Sequence, residues 1–194
     1  GAFSQPLFSV FVQCLCFFIM LLAILLFHST LKGTRMQIAV VGGGACRPEV
    51  RDAARRIGQI IASHGHVLIC GGLGGVMEAA CCGSREAGGI TVGILPGEKE
   101  EANTCVDVRI ATGMGHARNA IIVKSADLVI ALPGEMGTLS EMALAMKMKK
   151  PVISLSSWEI CGAFQAKDPE EVDQLLDRID PGQKDLSQIK KEPE

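Results

Sequence analysis

Tyrosine is absent from this 194-residue chain and tryptophan occurs once, so aromatic residues make up only 4% of it. That excludes a platform on which successive bases of a nucleic acid could stack. Charge of one sign is lacking as well. The 19 basic residues stand against 21 acidic ones, a formal net charge of -2, so bulk charge steers neither nucleic acid nor a strongly acidic partner, and any anion site has to be local. No G-x-x-x-x-G-K-[ST] occurs, which removes the P-loop, and no His, Cys or carboxylate cluster has zinc spacing, so no metal site is expected. No lysine sits in a recognisable pyridoxal phosphate context. The cysteines at positions 14, 16, 46, 70, 81, 82, 105 and 161 lack ligand spacing and fall mainly in apolar runs; they read as reduced thiols of a cytosol-facing protein.

One hydrophobic run does not belong to a soluble domain. Residues 7 to 27 read LFSVFVQCLCFFIMLLAILLF, with only Ser9 and Gln13 polar, long enough to cross a bilayer core as a helix. Lys32 and Arg35 follow it and no basic residue precedes it, which by the charge rule puts the downstream domain on the cytoplasmic side. Two readings stay open: residues 1–35 are a membrane anchor, or Met36, which opens a strand directly, begins the functional unit. Residues 36–180 form the domain proper and 181–194 a polar tail.

From Met36 onward, short apolar runs alternate with helical stretches, the signature of a parallel sheet with crossover helices. Strands are expected at QIAVVGG (37–43), HVLICGG (66–72), ITVGILP (90–96), VDVRIAT (106–112), DLVIALPG (127–134) and PVISL (151–155), the last of the set. Helices are expected from Pro48 to the Gly65 stop, over 76–89, 114–126 and 138–150, and from a cap at Asp168, Pro169 and Glu171 to about Ile179. The fold class that follows is α/β, a Rossmann-like three-layer sandwich around a central parallel sheet.

Glycine is abundant, and much of it sits where strands hand over to helices: GGGAC (42–46), GGLGG (71–75) and PGEMGT (133–138). In a parallel sheet all three turns lie along the carboxyl edge, where open α/β sheets bind ligands, and each precedes a helix whose first amides and dipole favour a phosphate. Gly43, Gly44, Gly71, Gly72, Gly74, Gly75, Pro133, Gly134, Gly137 and Thr138 are therefore candidate phosphate- or ligand-binding residues. The dinucleotide fingerprint fails. Arg47 stands where the third glycine of G-x-G-x-x-G should fall, and the second strand ends in Cys70 and Gly71 rather than in an acidic residue for a ribose diol. His64 and His66 flank a turn and read as edge residues, whereas His116 lies on the ligand edge two residues before Arg118.

CGGLGGVMEA (70–79), TGMGHARN (112–119) and LPGEMGTLSE (132–141), in this order, resemble the LOG-like (LONELY GUY) family of Rossmann-fold proteins, often mislabelled lysine decarboxylases. Its signature is P-G-G-x-G-T-x-x-E with an upstream Arg, and its characterised members are cytokinin riboside 5′-monophosphate phosphoribohydrolases. GHARN followed by SADLVIALPG and GTLSEMALA is more similar to the short branch containing molybdenum-cofactor carrier proteins. The resemblance implies functional roles for Arg118 and Glu141, a phosphate-binding turn at Gly134, Gly137 and Thr138, an earlier glycine loop at Gly71, Gly72, Gly74 and Gly75, and ligand contacts for Met114 and Asn119. It implies a phosphorylated small-molecule ligand, a nucleotide monophosphate or molybdenum cofactor, with no cofactor required for catalysis. Glu135 in place of the second glycine of P-G-G, and Asn119 where the plant-type hydrolases have Lys, depart from the hydrolase pattern.

The chemistry of these residues is consistent with such roles. Breaking an N-glycosidic bond develops positive charge on the ribose and needs a directed water, which one carboxylate, Glu141, can stabilise and orient. Arg118 can clamp phosphate or a purine acceptor through its planar fork. The bland reading is that Thr138-x-x-Glu141 is a capping box; Arg118 and the three glycine turns tip the balance toward the site. Glu135 is harder to place. A carboxylate about 5 Å from a phosphate costs roughly 3 kcal/mol per charge at an effective dielectric of about 20, against about 0.3 to 1 kcal/mol favouring an anion at a helix N-terminus. So Glu135 points outward, or Arg118 compensates, or the ligand is not the usual nucleotide phosphate. Its backbone must also tolerate angles a glycine adopts. Finally, Ile121, Ile122, Val123, Met142, Met146 and Met148 offer more apolar surface than one sheet face needs, so a homodimer or higher assembly that completes the pocket is expected.

Overall fold

Strand β1 (Gln37–Val41) buries Ile38, Ala39, Val40 and Val41 on both of its sides, as the middle strand of a parallel sheet must. The computed structural model describes residues 35–179. In it β1 is joined by β2 (Val67–Cys70), β3 (Ile90–Leu95), β4 (Val108–Ala111), β5 (Leu128–Ala131), β6 (Val152–Leu155) and β7 (Phe164–Ala166). The order across the sheet is β4-β3-β2-β1-β5-β6-β7, and every neighbouring pair is parallel.

Among the described residues five α-helices cover the two faces: α1 (Pro48–Ser63), α2 (Val76–Glu86), α3 (Asn119–Ser125), α4 (Met136–Lys147) and α5 (Pro169–Arg178). Alternation along the strands assigns them. Ile38, Val40 and Leu68 pack with Ile57 and Ile61 of α1, Ala80 of α2 and Leu176 of α5, while Ala39, Val41 and Val129 pack with Ile122 of α3 and Met142 of α4. The α1 and α2 backbones touch at two glycines. A Cβ on Gly58 would lie 2.0 Å from the Ala80 carbonyl oxygen, and one on Gly83 would lie 1.9 Å from that of Arg55. The α/β architecture with a central parallel sheet is as the sequence pattern predicts.

The chain leaves β1 toward β2, β3 and β4 on one side and returns to β5 on the other. The connections after β1 and β5 therefore lead to helices on opposite faces, α1 and α4, which makes the carboxyl edge here the topological switch point of the sheet, where open α/β sheets form a crevice.

Several expectations need correction. The expected helix 114–126 is a single 3-10 turn, Gly115–Arg118, followed by α3, with Gly113 and Gly115 both at positive φ. Helix α4 begins at Met136 rather than Thr138. A further strand, β7, follows PVISL and pairs with β6; its three residues, FQA, carry too little pattern to announce themselves. Cys82 and Cys105 form a disulfide, so the eight cysteines are not all thiols. Spacing cannot reveal such a pair; it arises because Asn103 docks its loop on the Gly72–Leu73 turn through its side-chain amide, 3.1 and 2.9 Å from those carbonyls, and so brings the loop against α2. Ile122, Val123 and Met142, expected as surplus apolar surface, are fully buried inside the chain. The candidate anchor at residues 7–27 and the polar tail lie outside the described residues; among the described residues no helix is long and apolar enough to cross a membrane.

Candidate functional site

The three glycine turns are hydrogen-bonded to one another. Gly43 N–H donates to the Pro133 carbonyl at 3.0 Å, and Val76 N–H donates to the Gly43 carbonyl at 3.0 Å. The first turn is thus held between the other two. Gly75, at φ 65°, has no room for a side chain, because its Cβ would lie 2.4 Å from the Gly43 oxygen. The third turn is fixed from behind by Trp158, whose indole Nε1 donates to the Gly134 carbonyl at 3.0 Å.

Between these turns lies a cavity of about 420 Å³, the size range of small-molecule sites. Gly43, Gly44, Gly71, Arg118, Asn119, Gly134, Gly137, Thr138 and Glu141 line it, so the structure brings together most of the residues singled out in the sequence. It does not bring in all of them. Gly72, Gly74 and Gly75 are not in the lining, and Gly72 and Gly75 take positive φ beneath it. Pro133 lines neighbouring cavities, and Met114 is half exposed and lines none of them. Ala45, Met77, His116 and Glu135 also line the cavity. For Met77 no signal in the sequence existed beyond its place in the first turn of α2.

Arg118 and Glu141 form the floor. Arg118 Nη1 lies 3.7 Å from Glu141 Oε1 with both side chains about nine-tenths buried, and the same nitrogen donates to the Asn119 side-chain carbonyl. Nη2 donates to the Gly71 carbonyl at 3.5 Å. Gly71 has to be glycine for this, since a Cβ there would lie 2.4 Å from Nη2. Among the described residues Arg118 Nε is a buried donor with no hydrogen-bond acceptor.

Glu141 does not close a capping box. With Glu135 at the N-cap and Met136 first in the helix, Glu141 sits in the second turn of α4 and turns inward. Burial pushes its carboxyl up to about 7, opposed by the Arg118 charge, and burial likewise lowers the Arg118 guanidinium, opposed by Glu141. For both partners desolvation exceeds attraction, the usual balance for a buried ion pair. Glu135 adopts extended backbone (φ -91°, ψ -158°), so the expected clash with glycine-only angles does not arise. Its side chain is exposed and makes no capping hydrogen bond, and the residue belongs to the cavity lining.

The fold and this floor define a class: an α/β protein with a switch-point crevice, glycine turns along it, and a buried Arg–Glu pair. The chain belongs to the SLOG cluster4 family, whose pattern matches residues 35–182, and the LOG-like resemblance is thereby established. It is 54% identical over 120 residues to an uncharacterized protein of Archaeoglobus fulgidus, covering 62% of this chain and 80% of that one. It is 33% identical over 121 residues to the cytokinin riboside 5′-monophosphate phosphoribohydrolase of Mycobacterium tuberculosis, covering 57% of this chain and 64% of that enzyme, just under two thirds of its length. Among solved structures, the molybdenum cofactor binding protein from the phototrophic bacterium Rippkaea orientalis superposes with a TM-score of 0.71 at 39% identity, over 74% of this chain and 96% of that one.

Proposed function

We infer that the crevice binds a phosphorylated, nucleotide-like small molecule and that the Arg118–Glu141 pair acts on its glycosidic bond. One observation carries this: a carboxyl raised to about 7 beside an arginine with an orphaned donor, on the floor of a glycine-lined cavity. A group titrating near neutrality can both take and give a proton. As water oxygen attacks the anomeric carbon, the Glu141 carboxylate takes the water proton; the carbon–nitrogen bond breaks with its electron pair going to the base, and the carboxylic acid returns the proton to that base. Nucleoside 5′-monophosphate and water thus give free base and ribose 5-phosphate. Arg118 supplies a fixed positive charge for phosphate or for the leaving base.

A second reading has its own support. The similarity to the molybdenum cofactor binding protein is higher in identity and spans nearly that whole protein, unlike the match to the mycobacterial hydrolase. In that reading the crevice holds molybdenum cofactor or a related phosphorylated pterin as cargo, and Glu141 orders the guanidinium without turnover. Assay of base release from a panel of nucleoside monophosphates separates the two: release that depends on Glu141 selects the hydrolase, and none, together with Arg118-dependent retention of a pterin, selects the carrier.

Self-association belongs to the same proposal. Val108 and Ile110 on the edge strand β4 are exposed at 47% and 43%, an apolar edge that a second copy would cover.

A further inference from the structure

The lining of the crevice carries more negative charge than suits a doubly charged phosphate. Among the described residues Arg118 is the one Arg or Lys in it, and its guanidinium already faces Glu141 at 3.7 Å. Glu135 adds a second carboxylate to the same lining, exposed and uncommitted at the N-cap of α4. There the first amides of α4, those of Met136, Gly137 and Thr138, have no acceptor within the helix and would meet the anion. A phosphate monoester carries close to two charges above its second pKa of about 6. Its second charge, about 5 Å from Glu135 at an effective dielectric of about 20, weakens binding roughly a hundredfold before solvent screening and about tenfold after it.

Shape supplies an independent observation. The crevice does not end at the α4 N-terminus. A neighbouring cavity of about 560 Å³ shares Ala45 and Gly134 with it and is otherwise bounded mainly by Cys46, Arg47, Glu49 and Ser156. Gly134 forms a saddle between two chambers, each within the size range that accepts an organic ring system. A terminal phosphate placed at the saddle would leave the second chamber unused.

We propose that the crevice takes a phosphodiester. The phosphoryl group, esterified on both sides and carrying a single charge, sits at the Gly134 saddle, with one organic group over Arg118 and Glu141 and the other beside Cys46 and Arg47. Glu135 is the specificity determinant that disfavours the monoester. This rests on the reading of the crevice as a phosphate site and names the class of ligand that site prefers.

Calorimetric titration of the whole protein at pH 7.5 tests it, with AMP, GMP, CMP and UMP, their singly charged 5′-methyl esters, and the corresponding 3′,5′-linked dinucleoside monophosphates. For a base that binds, the methyl ester is expected to bind about tenfold or more tightly than the monoester. The dinucleoside monophosphate should bind more tightly still. Glu135→Gln should bring the monoester to within about threefold of its ester, and Arg47→Ala should weaken the dinucleoside monophosphate while leaving the methyl ester unchanged. A wild type that binds monoester as tightly as ester, with Glu135→Gln neutral, overturns the phosphodiester assignment and leaves the phosphate site standing. Failure of every probe to bind both the wild type and Glu135→Gln overturns the phosphate reading, and this inference with it.

Discussion

Arg118 Nη1 stands 3.7 Å from Glu141 Oε1, and neither side chain is more than a tenth exposed. A buried pair of this kind is costly to the fold, because the carboxyl is pushed up to about 7 in spite of the guanidinium beside it. Its cost appears as a pH dependence. From about pH 4.5 to 7 the unfolded chain has released the Glu141 proton while the folded chain keeps it, so stability falls as pH rises through this window and the contribution is lost above 7. Replacing Glu141 by Gln, a mimic of the protonated form, should raise stability by up to about 3 kcal/mol at pH 8 and by little at pH 4. Urea denaturation at the two values checks it; an equal effect at both would show that Glu141 does not titrate in this window.

Gly71→Ala places a methyl 2.4 Å from Arg118 Nη2, and the guanidinium has to leave the Gly71 carbonyl. Stability should fall by about 1 to 3 kcal/mol. Loss of ligand binding should go beyond what that fall explains, and binding isotherms at a temperature where the variant is folded read it. Unchanged affinity would contradict the placement of Arg118.

The α1–α2 crossing has no room at Gly58, where a Cβ would lie 2.0 Å from the Ala80 oxygen. Gly58→Val should cost more than about 2 kcal/mol or abolish folding, although Gly58 is remote from the crevice. A thermal midpoint equal to wild type would contradict the packing.

The disulfide between Cys82 and Cys105 closes a loop with a sequence separation of 23. Peptide mapping after alkylation of unreduced, unfolded protein should find both residues unmodified and linked, while Cys46, Cys70, Cys81 and Cys161 are labelled. Cys105→Ser should lower stability by about 2 to 4 kcal/mol. Alkylation of Cys82 and Cys105 without reductant would contradict the disulfide.

Much of the fold is written locally. Runs such as QIAVV and LVIA, too apolar for a half-exposed strand, place β1 and β5 at the centre, and the Asp168, Pro169 and Glu171 cap places α5, where Asp168 accepts from the Glu171 amide at 2.8 Å. Arg118 and Glu141 are legible as a pair only through the resemblance, because their proximity depends on β5 returning beside β1. Thr138-x-x-Glu141 misleads for a physical reason. A capping box and a helix-interior carboxylate share the same spacing, and the difference is whether the helix starts at Thr138 or, as found, at Met136. Glu135 reads in sequence as both an electrostatic and a backbone problem; the extended angles it takes remove the second, and its place in the crevice lining leaves the first. Asn103 and Trp158, which buttress two of the glycine turns through their carbonyls, belong to contacts across more than twenty residues that no local pattern records.

The most direct measurement is release of free base from nucleoside 5′-monophosphates and their methyl esters by wild type and by Glu141→Gln, followed at pH 7 alongside ligand affinity. With Glu141 as the proton-transferring group, wild type turns over at least one compound, and Glu141→Gln loses roughly 100-fold or more in rate while binding it as tightly as before. Turnover by Glu141→Gln equal to wild type, or no base released by wild type from any member of the panel, would contradict the hydrolase.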